Sequence, residues 1–76
     1  MPPRCNEVRT VLTRNGFACE RSAKHETWIR RDSNGGVEAR TFVSHGNKEI
    51  KVPKTFKDIL RQSKKTEEEF YRVLRG

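Results

Sequence analysis

A chain of 76 residues with 32% hydrophobic and 36% charged residues has room for one thin core and no second domain. Seventeen Lys and Arg against ten Asp and Glu give a formal net charge of +7, which favours a polyanionic partner, nucleic acid or an acidic protein. A small acidic substrate fits less well, because it needs a deeper pocket than so short a chain readily builds. No apolar run reaches membrane-spanning length and no secretory core opens the chain, so a cytoplasmic protein with Cys5 and Cys19 as free thiols is expected.

The apolar residues fall in periodic clusters, the mark of a folded chain. Asn6 is a candidate helix cap, and Val8, Val11 and Leu12 follow at i, i+3 and i+4, one apolar stripe. "NGF" at 15–17 ends that helix, with Asn15 or Gly16 in the left-handed conformation and Phe17 folding back. Residues 17–22, "FACERS", read as a short strand.

Two alternating segments come next, "HETWIRR" at 25–31 and "VEARTFVS" at 37–44, joined by the turn-forming "DSNGG". A hairpin centred on Gly35 sets Trp28 opposite Phe42 and His25 opposite His45. Period two places Thr27 and Ile29 on one face and Glu26, Trp28 and Arg30 on the other. Ile29, Ala39 and Val43 make the more purely apolar face, expected to meet the helices, which leaves Trp28 and Phe42 on the open face. A core role for the two aromatics is the alternative.

"HGNKEIKVPK", residues 45–54, is a basic loop. Thr55 and Asp58 form a variant capping box before Phe56, Ile59 and Leu60, and Thr66 and Glu69 repeat the signal before Phe70, Val73 and Leu74. The spacing predicts helices over 56–63 and 67–75. The order is α-β-β-β-α-α in a single α+β domain over residues 1–76: a three-stranded antiparallel sheet with helices on one face, the double-stranded-RNA-binding-domain type of architecture.

At this point the chain resembles the HicA-type toxins of bacterial toxin–antitoxin pairs. "VLTRNGF" looks like the family's helix-ending signature, and "AKHETWIRR" is similar to its histidine strand. "VSHGNKEIK" resembles its third strand and following loop, and "FKDILRQ" and "TEEEFYRVL" its closing helices. Ala23 and Lys24 stand where the family often has Gly-Ser. The resemblance implies a metal-independent, mRNA-cleaving toxin held inactive by an acidic HicB-type antitoxin, with His25 as the catalytic histidine and no cofactor.

The chemistry needs few residues. RNA carries its own nucleophile, the 2′-hydroxyl. A base that removes its proton permits attack on the adjacent phosphorus, and a nearby cation stabilises the charge that develops. Histidine suits the base role because its ordinary pKa lies near neutrality. Lys24, Arg21 and Arg30 are candidate phosphate contacts. His45 is a phosphate contact, a proton donor to the leaving 5′-oxygen, or a plain loop residue. Trp28 and Phe42 stack on bases, enter the core or dock the antitoxin. The cysteines and histidines lack the close pairing of a zinc site. Against the enzyme stand two other classes. One is a non-catalytic RNA-binding module of the same fold; the other is a protein-interaction subunit whose cations serve only an acidic partner.

Overall fold

The computed structural model describes residues 3–76. Its elements run α1 Cys5–Arg14, β1 Ala18–Ser22, β2 Glu26–Arg31, β3 Val37–Val43, α2 Lys54–Ser63 and α3 Glu67–Arg75. The strands form one antiparallel sheet in the order β1-β2-β3. This is the α+β arrangement expected from the sequence.

α1 buries Cys5, Val8, Val11 and Leu12, the predicted stripe extended by one turn. Asn6 is not its cap. The helix starts two residues earlier, at Cys5 with Arg4 in the cap position, and Asn6 N–H donates to Asn47 Oδ1 at 3.1 Å. Arg4 N–H donates to Glu7 Oε1 at 2.8 Å, closing the first turn. At the other end Gly16 takes φ +86°, where a side chain would be strained, and Phe17 N–H donates back to Leu12 O at 2.9 Å. Phe17 is thereby turned into the core.

The β2–β3 hairpin closes through Asp32. Its Oδ1 accepts from Asn34 N–H and Gly36 N–H, both at 2.9 Å, while Gly35 holds φ +84°. The register differs from the expected one by a single residue. Trp28 pairs with Thr41 and Phe42 with Thr27, and the register shifts between Arg30 and Arg31. The last pair is Glu26 with Val43, so His25 and His45 are not cross-strand partners.

One residue of slip turns a strand over. On β3 the expected face is right: Ala39, Thr41 and Val43 are buried and Phe42 is exposed. On β2 it is inverted. Glu26, Trp28 and Arg30 lie on the helix side with the buried β3 residues, and Thr27 and Ile29 share the open face with Phe42. The bulky, apolar Trp28 gains more from burial than the mixed Thr27–Ile29 pair would.

α2 begins at Lys54, so Thr55 falls inside its first turn and does not cap it; Lys64 at φ 60° ends the helix. α3 has the bounds read from the sequence. Its capping box is formed, with Glu69 N–H donating to Thr66 Oγ1 at 3.1 Å and Thr66 N–H to Glu69 Oε1 at 3.0 Å. α1 and α2 pack on β3, and α3 on α1. Phe56, Phe70 and Tyr71 meet edge to face at 5.1–6.1 Å. The core unites α1, the helix face of the sheet and both closing helices.

Candidate functional site

β1 ends at Ser22 and β2 starts at Glu26, so residues 23–25 form the turn between them. His25 belongs to this turn and not to the strand, and it is exposed with Lys24 beside it. Arg21, opposite Thr27, lies one pair inward on the open face. Neither Arg21 nor Lys24 makes an ion pair among the described residues. Their charge is directed to solvent, where a phosphate can reach it.

His45 stands against the same turn. Its Nε2 lies 2.7 Å from Ala23 O, and its Nδ1 lies 3.7 Å from Glu26 Oε2. Since a carbonyl only accepts, Nε2 carries the hydrogen in this contact. Four of the six expected site residues, His25, Lys24, Arg21 and His45, therefore gather at one end of the sheet.

The other two do not. Trp28 is 9% exposed, and its indole Nε1–H donates to Glu26 Oε1 at 3.0 Å, so it offers no stacking surface. Arg30 lies four residues along β2 from Glu26, roughly 13 Å at about 3.3 Å per residue. Its guanidinium covers the Phe17 ring at 5.3 Å and binds Glu38 at 2.9 Å. It is occupied in packing at the far end of the sheet. The ring actually presented on the open face is Phe42, 46% exposed, with the Arg40 guanidinium 5.9 Å from its centroid.

Glu26 and Arg9 are the participants that the sequence did not single out. Arg9 reaches from α1 with Nε 2.8 Å from Glu26 Oε1 and Nη2 3.2 Å from Oε2, a bidentate pair. The same Nη2 donates to Ser44 O at 2.8 Å, and Nη1 to Asn6 Oδ1 at 2.6 Å. The Arg9 hydrogen bonds hold the Glu26 carboxyl below its ordinary value; burial opposes this, and the Trp28 indole and the Arg9 charge add to it. No sequence signal points to the pair, because the expected register puts Glu26 on the open face, away from α1.

Among the described residues no three His, Cys, Asp or Glu gather in a way that could hold a metal ion. Cys5 is buried and Cys19 exposed, both as free thiols. A surface groove is lined by Ile50, Val52, Phe56 and Tyr71, and no residue of the 23–25 turn borders it. No described helix is long and apolar enough to cross a membrane.

The family whose model matches the chain is described as the HicA toxin of bacterial toxin–antitoxin, and the match runs over residues 5–64, from the start of α1 to the end of α2. No curated protein and no solved structure matches. The matched segment contains the whole sheet, the 23–25 turn and the His45 loop, and the chain belongs to the HicA family of bacterial toxins.

Proposed function

We propose that this chain, folded as a single domain, is a cytoplasmic endoribonuclease that cleaves mRNA without a metal ion, with His25 as general base. The observation that carries the reading is the setting of His25. It is an exposed imidazole on a turn between two strands, next to cations that no acidic group neutralises, in a chain of a toxin family.

A single RNA strand laid over the turn brings a 2′-hydroxyl to the His25 ring. His25 takes its proton as the oxygen attacks the adjacent phosphorus. The new O2′–P bond forms, the P–O5′ bond breaks, and the leaving oxygen takes a proton from water. The products are a 2′,3′-cyclic phosphate and a 5′-hydroxyl. Lys24 and Arg21 stabilise the phosphorane charge. Phe42 takes the stacking role expected of Trp28, flanked by Arg40 and Arg21 on the open face. The partner is an acidic, HicB-type antitoxin that silences the toxin by covering the turn.

The test is a single-stranded RNA oligonucleotide incubated with the purified chain in excess chelator. Cleavage to a 2′,3′-cyclic phosphate is expected, with none at a position carrying a 2′-deoxy sugar. Binding without cleavage would make the chain an RNA-binding module. Absence of both would leave a subunit that serves only a protein partner.

A further inference from the structure

The loop after β3 is tied to the start of α1 at several points. Cys5 N–H donates to Lys48 O at 2.9 Å, Arg4 Nη1 to Asn47 O at 3.2 Å, and Asn6 N–H to Asn47 Oδ1 at 3.1 Å. Arg9, one turn further along α1, holds Ser44 O at 2.8 Å and both oxygens of Glu26. His45 therefore projects from a backbone fixed on both sides. From there it makes one short polar contact, Nε2 to the carbonyl of Ala23, the first residue of the turn that carries Lys24 and His25. Among the described residues the 23–25 turn has no other hydrogen bond to the body of the protein.

A histidine with a carboxylate on the Nδ1 side looks at first like half of an acid–base pair. Two distances argue otherwise. The Glu26 oxygen is 3.7 Å from Nδ1, too long for a hydrogen bond. Nε2 is spent on a backbone oxygen at 2.7 Å, which leaves only Nδ1, on the Glu26 side, to meet a substrate.

We propose that His45 is a positioning residue: its Nε2–H, donated to Ala23 O, fixes the turn that presents His25 to RNA, and Arg9 and the start of α1 fix His45 in turn through the Ser44 and Lys48 carbonyls that they hold. This rests on the reading of His25 as the base. The ring supplies a donor at a set reach and no proton to the reaction. Loss of the contact frees the turn, and the base loses its alignment with the 2′-hydroxyl. Misplacement of a reacting group by about 1 Å costs on the order of 100-fold in rate.

Glutamine separates the two roles, because its side-chain amide donates from a position close to histidine Nε2 but cannot act as an acid or base at neutral pH. Three full-length proteins suffice: the wild type, His45→Ala and His45→Gln. Each is measured for kcat and KM on single-stranded RNA and for NMR backbone order parameters at Lys24, His25 and Glu26. His45→Ala is expected to keep its fold, lower the order parameters of the turn from about 0.85 toward about 0.6, and lower kcat by roughly 10- to 100-fold with KM within about twofold. His45→Gln is expected to restore the order of the turn and to recover most of kcat. Native order parameters in His45→Ala would overturn the proposal. So would a His45→Gln protein with an ordered turn and the kcat of His45→Ala, which would make the imidazole a reacting group. A rise in KM alone would make His45 an RNA contact and overturn it equally. Should the wild type not cleave RNA, the ribonuclease reading fails by itself, and the order parameters still decide whether His45 holds the turn.

Discussion

Glu26 shows how one side chain can join elements that are distant in sequence. Its carboxylate takes Arg9 from α1 and the Trp28 indole from its own strand, and it faces His45 from the loop after β3. Its side chain is 17% exposed and that of Arg9 20%, so solvent screens the pair only in part. Glu26→Gln is expected to lose about 1–2 kcal/mol at pH 7, the usual range for a hydrogen-bonded charge left with a weaker partner. The pH dependence has a definite sign. The folded-state pKa of Glu26 lies below the ordinary 4.5, so its contribution is complete above that value and is lost as the pH falls through the folded pKa. The stability gap between wild type and Glu26→Gln, read from urea midpoints, should therefore be full at pH 7 and close below about pH 4.5. A gap unchanged at pH 3 would mean that the carboxylate charge does not carry the interaction. None of this was legible beforehand. His25 and Lys24 announce themselves as neighbours in sequence, whereas Arg9 and Glu26 meet only through the packing of α1 on the sheet.

At the scale of elements, the periodic apolar residues sufficed for α1, α3 and the order of the strands. α3 was legible to the residue because Thr66 and Glu69 form a reciprocal cap. Thr66→Ala should cost about 1 kcal/mol in thermal or denaturant unfolding. Had the box no role, the melting temperature would not move. Strand register was the part that could not be read. A loop of five residues and a shift near Arg31 change the pairing by one residue without altering any alternation visible in the sequence. That one residue decides which aromatic is core. Trp28→Ala should lose about 3–5 kcal/mol, a large share of the stability of so small a domain, whereas Phe42→Ala should lose less than about 1 kcal/mol. The reverse order would restore the register in which the faces of β2 are exchanged.

For the whole molecule, the net charge of +7 matters less than where the cations remain unengaged. Arg9, Arg30 and Arg31 are held by Glu26, Glu38 and Glu20, and the Arg31 bonds pull the Glu20 carboxyl down from its ordinary value. Arg21, Lys24 and Arg40 make no ion pair among the described residues and lie toward the open face and its turn. RNA affinity should fall steeply with salt, with a slope of about −0.7 per phosphate contact on a single strand. Arg21→Ala and Lys24→Ala should each flatten that slope by about one contact, while Arg30→Ala should leave the slope alone and weaken the fold. Equal effects of all three would mean that only total charge counts. The same surface suits an acidic antitoxin. Amide protection on forming the complex should fall on the 23–25 turn and the open sheet face, and protection confined to α2 and α3 would require inhibition from a distance.

The most direct measurement is cleavage of a single-stranded RNA by wild type and by His25→Ala, in chelator, with the circular dichroism and melting temperature of both proteins recorded. His25 is exposed and makes no described hydrogen bond, so the variant should fold and melt as the wild type does. RNA cleavage should fall by a factor on the order of 100 to 10,000, the usual contribution of a general base. A folded His25→Ala protein that cuts RNA at the wild-type rate would remove His25 from the reaction.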